Sequence, residues 1–338
     1  MVTLFSAAVD GMPAQEIVDG LNIIRRGTHL SVYRLARRYY QREGRGRFDV
    51  VIDEINTRPF FAPRWVDDAV VIALIHQVCR EVWYYQMPRL FAFFGRYWFE
   101  PKWLRQYREV PTVTVSESSR ESLVKYGLKH VTIVPEGYRS IERLPETTRE
   151  SKPTIVFVGR LAANKRPEEA IRAFAMLREN LPTAVLWVIG TGPMEAKLRD
   201  GSPDGVEFLG RVTEAEKHER LARAHAIIVT SVREGWGLVV TEAANLGTPA
   251  IAYDVPGLRD SVRASGGVLV EPSPEALATE LRQRIPKWMK SPPDVAVSDV
   301  LPWEHVAIQM IDLAKDSANA THSSKIGAVF LSAQSEGG

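Results

Sequence analysis

Short apolar, β-branched runs alternate along the chain with stretches in which apolar residues recur every three or four positions. The runs predict buried strands and the stretches predict amphipathic helices. In the first part the runs fall at 2–5, 21–25, 48–53, 69–75, 112–115 and 131–134, with helical spacing over 30–40 and 117–126. In the second part they fall at 154–158, 184–189, 206–209, 226–230, 250–253 and 267–270, with helical segments between them. A last amphipathic helix begins at Trp303. This alternation predicts an α/β chain built on parallel, doubly wound sheets. The expected organisation is a first domain over 1–140, a linker over 141–153, a second domain over 154–301, a helix over 302–317 and a flexible tail over 318–338.

One stretch concentrates candidate chemistry. The run at 226–230 delivers the chain to Arg233-Glu-Gly-Trp-Gly237, and helical spacing resumes at Leu238. A glycine-containing turn at a helix N-terminus offers free N–H groups and the positive end of the helix dipole, which suits an anion. Two carboxylates flank it, Glu234 in the turn and Glu242 within the helix. Ionised carboxylates accept hydrogen bonds from hydroxyls. Acids beside an anion site therefore suit a ligand that carries hydroxyls next to phosphates, as a nucleotide sugar does.

Other candidates lie at strand ends, where ligands of doubly wound sheets bind. Gly159 and Arg160 end the run at 154–158, and Lys165 follows. Two cations there suit a diphosphate whose charge grows as its bond to a sugar breaks. Gly190-Thr-Gly192 is a similar turn, but it lacks the third glycine of a dinucleotide fingerprint, which disfavours an NAD-dependent oxidoreductase. His76 ends the run at 69–75. No metal-ligand spacing is found, so neither a metal nor another cofactor is expected.

Composition narrows the classes. The chain has 338 residues, 45% of them hydrophobic and 25% charged, which suits a two-domain globular enzyme. A net charge of +2 gives no case for nucleic acid as a partner. The single cysteine, Cys79, excludes an internal disulfide and fits the reducing cytoplasm. The N-terminus lacks the basic start and apolar stretch of a signal peptide. Between His76 and Tyr107 lie Trp83, Tyr84, Tyr85, Phe91, Phe93, Phe94, Trp98, Phe99 and Trp103, interleaved with arginines and lysines. One reading packs them into the first domain's core. The other makes them an interfacial surface that rests on the anionic inner face of a membrane or binds a lipid-linked acceptor.

Several segments resemble the retaining glycosyltransferases of family four. GRLAANKRPEEAIRAF (159–174) is similar to that family's GRL-x3-K segment, and EGWGLVVTEAANLGTPAIAYDVPGLRD (234–260) to its segment with two glutamates at E-x7-E spacing. Weaker matches are VSESSRESL (115–123), VPEGY (134–138) and PWEHVA (302–307). The resemblance implies a GT-B fold, two Rossmann-like domains facing across a cleft. It implies that Arg160 and Lys165 hold the donor diphosphate, with Gly159 beside them, and that Glu234 and the backbone of Gly235, Trp236, Gly237 and Leu238 contact the donor sugar and phosphates. Glu242 would accept from the ribose hydroxyls, Arg211 and Val212 would lie at the base, and His76 would approach the donor sugar. The donor would be a UDP- or GDP-sugar and the basic pair would replace a metal. The acceptor would be a carbohydrate, a lipid-linked glycan or a small molecule. Two departures stand out. The family's first strand, glycine-rich loop and helix should precede Val2 and are absent, so the first domain is expected to be incomplete at its N-terminus. Glu136 stands where the family usually has asparagine. The incomplete first domain leaves open a second reading, an impaired protein that binds a nucleotide sugar without turning it over.

Overall fold

The structure, a computed structural model, describes residues 2–137, 148–295, 302–317 and 327–333. The chain divides into two units. One holds Met1–Trp83, Pro88–Pro135 and Glu304–Gly338, the other Tyr84–Met87 and Glu136–Trp303.

The first unit opens with β1 (Val2–Ser6), β2 (Gln15–Val18), β3 (Leu21–Arg25), β4 (Val50–Glu54), β5 (Val70–Leu74), β6 (Thr112–Thr114) and β7 (Val131–Ile133). The second holds β8 (Thr154–Val158), β9 (Val185–Ile189), β10 (Val206–Gly210), β11 (Ala226–Val229), β12 (Ala250–Tyr253) and β13 (Val268–Val270). A final strand, β14 (Ala328–Leu331), returns to the first unit.

The second unit's sheet runs β10-β9-β8-β11-β12-β13, and every pairing is parallel. Its strands read as near-continuous apolar runs because helices cover parallel sheets on both faces. Ile155, Val156, Ile227, Ile228 and Ile251 are fully buried. The strand order reverses between β8 and β11, so the carboxyl ends of those two strands flank the crevice where doubly wound sheets bind ligands.

The first sheet runs β2-β3-β1-β14-β4-β5-β6-β7. β2 and β3 form an antiparallel hairpin through Asp19 and Gly20, both at positive φ (49° and 81°). An Asp-Gly pair with two positive φ values marks a tight hairpin turn, so Val18-Asp-Gly-Leu21 carried a signal for β2, a strand absent from the expected set.

The larger correction concerns the end of the chain. Residues 318–338 were expected to be a flexible tail, yet β14 lies between β1 and β4, parallel to both. Val2 pairs with Ala328 and Ala328 with Val50. Val329 and Leu331 are fully buried, which is the physical reason the segment is held. The last of the described strands in sequence thus lies inside the first sheet. Residues 318–326 and 334–338 lie outside the described residues.

The helix Trp303–Ser317 packs Val306, Met310, Leu313 and Ala314 against Val50, Ile52, Ile72 and Val113 of the first sheet. Residues 138–147, including most of the expected linker, lie outside the described residues. The described end of that linker is no free spacer. Arg149 donates to the carbonyls of Ala224 (2.7 Å) and Gly247, which end two helices of the second unit, and Glu150 pairs with Arg223. Carbonyls left over at helix ends attract a cation.

Candidate functional site

β11 is buried at every position and hands the chain to Thr230 and Ser231, also buried. Thr230 Oγ1 lies 2.8 and 2.9 Å from the carbonyls of Lys165 and Arg166, and Val232 N donates to Asn164 O at 2.9 Å. The loops after β8 and β11 are thus joined at the switch point. Ser231 Oγ donates to Glu234 Oε1 at 2.6 Å, and Lys165 Nζ forms an ion pair with the same oxygen. The Glu234 side chain is only 16% exposed. From the other side, Glu234 N donates to Pro256 O at 3.1 Å. A Cβ on Gly257 would lie 2.1 Å from Glu234 O, so only glycine lets the loop after β12 press this close.

Gly237 caps the helix Leu238–Asn245 at φ 96°, with no side-chain cap bond. Trp236 is buried and donates from Nε1 to Thr241 Oγ1 at 2.9 Å, which fixes the turn from inside. The helix therefore starts on backbone groups alone, with its N-terminus beside Glu234 in sequence.

Across the loops, Gly159 N donates to Ile189 O (3.0 Å) and Leu161 N to Thr191 O (2.9 Å). A Cβ on Gly190 would lie 2.1 Å from Gly159 O, so the two strand-end turns pack backbone to backbone. Arg160, between them, is exposed and its guanidinium has no partner among the described residues. Lys165 is the contrasting cation, already matched to a carboxylate.

Glu242 lies in the same helix and pairs with Lys217 Nζ at 2.9 Å. Lys217 also holds Glu214 at 2.8 Å. Burial would lower the Lys217 pKa, but bonds to both carboxylates outweigh it and raise the value above that of an ordinary lysine. Lys217 was absent from the expected site. The T-x-x-E capping box at Thr213–Glu216 marks the start of its helix, but nothing in the sequence indicates its reach to Glu242. Ser231 was likewise not foreseen as the second partner of Glu234. Arg211 is exposed, and Val212 packs half-buried on the core.

His76 lies in the first unit, two residues past β5, and its carbonyl accepts from Ser119 Oγ at 2.7 Å. The same unit buries Asp53, which accepts from Phe60 N (3.1 Å), Ala62 N (3.0 Å) and Tyr107 Oη. Burial pushes its pKa up.

The aromatic stretch departs from the core reading. It folds as the helix Arg89–Phe94, a π-helical turn Gly95–Phe99 and the helix Glu100–Leu104. Trp83 and Tyr107 are buried, but Phe91, Phe93, Phe94, Tyr97, Trp98 and Phe99 are exposed. The reason is that small residues face inward. Ala92 is buried, and a Cβ on Gly95 would lie 2.5 Å from the Trp83 ring.

Residues 139–294 match the family described as glycosyl transferases group 1. The chain is 37% identical to a glycogen synthase of Thermus thermophilus over 137 residues, 39% of this chain and 31% of that protein. It is 36% identical to an exopolysaccharide phosphotransferase of Streptomyces coelicolor over 148 residues, 41% of this chain and 15% of that protein. The chain thus spans about a third or less of the length of these relatives. Among solved structures, sucrose-phosphate synthase from Thermosynechococcus elongatus superposes with a TM-score of 0.70 at 18% identity, covering 95% of this chain and 89% of that one. WaaG, a glycosyltransferase involved in lipopolysaccharide biosynthesis, gives 0.65 at 15% identity, covering 95% and 96%. Identities this low speak to the fold alone. The match to the glycosyl transferases group 1 model lies in the second unit, and the two sheets of mostly parallel strands are those of the GT-B glycosyltransferase fold.

Proposed function

We propose that the protein transfers a sugar from a nucleotide-diphosphate donor to an acceptor hydroxyl, with retention of configuration and without a metal. The observation that carries this reading is the cluster at the β8/β11 switch point: Arg160 without a side-chain partner among the described residues, Lys165 paired with Glu234, and a helix N-terminus after Gly237 with no side-chain cap bond. Arg160 and Lys165 hold the diphosphate and stabilise the charge that grows on it. Glu234, fixed by Ser231 and Lys165, accepts from the donor sugar hydroxyls, and the backbone of Gly235, Trp236, Gly237 and Leu238 lies along sugar and phosphates. Glu242, fixed by Lys217, accepts from the ribose. Arg211 and Val212 serve the base, Gly159 allows close approach, and His76 is assigned to the donor sugar. The acceptor oxygen bonds to the anomeric carbon on the face from which the diphosphate leaves. The departing phosphate oxygen takes the acceptor's proton.

The donor is a UDP- or GDP-sugar and the acceptor a carbohydrate, a lipid-linked glycan or a small molecule. The exposed aromatics of residues 91–99, with Arg89 and Lys102 nearby, support peripheral contact with the inner face of a membrane. No helix among the described residues is long and apolar enough to cross a membrane. The test is release of UDP or GDP from a panel of nucleotide sugars, with and without EDTA. Turnover that EDTA leaves unchanged, giving product of the donor's anomeric configuration, is expected. Turnover abolished by EDTA, or an inverted product, would overturn the metal-free retaining reading.

A further inference from the structure

The exposed aromatics do more than cover a convex face. Phe91, Phe94, Trp98, Phe99 and Trp103, together with Phe61 from the loop after β4, line one open cavity of about 720 Å³. That falls within the roughly 300–1,000 Å³ typical of small-ligand sites. The walls are ordered against one another. Phe99 stacks on Trp103 with centroids 5.6 Å apart, Phe61 meets Trp103 edge-on at 6.4 Å, and Phe94 lies 6.3 Å from Trp98. Phe91 and Trp98 are 66% and 62% exposed, so the cavity leaves large apolar area in water.

Two cations, Arg64 and Lys102, also line it, and no acidic side chain among the described residues does. Arg64 lies 4.8 Å over the Phe61 ring, and neither cation has a carboxylate partner among the described residues. An apolar chamber with unmatched positive charge fits an amphiphile that has an apolar chain and an anionic head. A second copy of this chain fits less well, because a two-fold contact through this face would bring the same cations together.

We infer that this cavity binds the apolar chain of a phosphate-headed lipid, with the phosphate held by Arg64 and Lys102. As the acceptor subsite it rests on the transferase reading above, while the binding itself belongs to the first unit alone. The chain displaces water from the aromatic walls, and the two cations sit where the headgroup meets solvent.

The experiment uses the full chain and dodecyl phosphate below its micelle concentration, followed by tryptophan fluorescence and calorimetry. Saturable binding is expected, with dodecyl maltoside weaker by about 25-fold, since each cation near an anionic head contributes roughly fivefold. Arg64→Gln and Lys102→Gln should each weaken dodecyl phosphate by about fivefold. Trp98→Ala and Phe91→Ser, both at exposed positions and checked by thermal melting, should weaken it by roughly tenfold or more. Three results would overturn the inference: no saturable binding, unchanged binding in the variants, or displacement of dodecyl phosphate by inorganic phosphate at equal concentration. So would a dimer that Trp98→Ala dissolves and that excludes the amphiphile. Nucleotide-sugar turnover without amphiphile binding removes the lipid pocket and leaves the transferase reading standing. Amphiphile binding without turnover does the reverse.

Discussion

The two sheets of this protein are built from the same kind of strand in opposite ways. The second unit's six strands come from one stretch of sequence, and its switch-point neighbours β8 and β11 are joined by a bond between Thr154 and His225, 71 positions apart. In the first unit a central strand is the last of the described ones in sequence, and its bond between Gly327 and Asp49 spans 278 positions. Loop closure over a fourfold longer span costs only about 1.2 kcal/mol more, at about 0.6 per doubling. Burying Val329 and Leu331 returns roughly 1.5–3 kcal/mol each, so the distant strand is favoured at equilibrium. What distance costs is rate, since non-local strand pairing folds slowly. The second sheet can form within residues 154–270, whereas the first also needs residues 328–331.

The largest test of this contrast is Leu331→Asp. A charge at a fully buried site in the middle of the sheet should cost several kcal/mol and open the first unit. Hydrogen exchange should then accelerate in β1 and β4 but not in β8 or β11. Unchanged protection in β1 would mean that β14 is not what holds the first sheet together.

Function should divide along the same line. Arg160→Ala and Lys165→Ala should each lower turnover by about two to three orders of magnitude, as loss of one charge-stabilising group does. Arg160→Ala should keep the melting behaviour of the parent, because that side chain is exposed, whereas Lys165→Ala also removes the cation paired with Glu234. A loss below tenfold would remove these residues from the leaving-group role.

The two carboxylates sharpen the comparison within the second unit. Glu242→Ala should weaken UDP or GDP in calorimetry by about 10- to 100-fold, as loss of a charged hydrogen bond does. Glu234→Ala should leave free-nucleotide affinity within about threefold and damage transfer instead. Equal losses of nucleotide affinity in both variants would sink the division of roles.

The smallest effect concerns pH. His225 accepts from Thr154 N at 3.1 Å in its neutral form. Burial, and then nearby Arg149, holds its pKa below the ordinary 6.5. The folded-state value is depressed, so this contribution is full above pH 6.5 and fades as pH falls through the folded pKa. His225→Asn, whose Oδ1 can accept the same bond, should flatten the acid side of the second unit's stability profile. An unchanged profile would clear His225 of that role.

What the sequence determined by itself is local. Apolar runs of near-continuous burial gave the strands of the second unit, since a parallel sheet covered on both faces admits little else. The turn Glu234–Gly237 carried its own chemistry, because glycine at φ 96° and a helix start are properties of neighbouring residues. Tertiary structure alone decided the rest. Only pairing across the whole chain turned 328–331 from an expected tail into a central strand. Glu234 and Glu242 were legible as acids near an anion site, but not their partners Ser231, Lys165 and Lys217, because side chains meeting across loops leave no periodicity. The aromatics of 83–103 read first as core and second as surface. The composition of a helix fixes how much apolar area it carries, and packing through Ala92 and Gly95 fixed which way that area points.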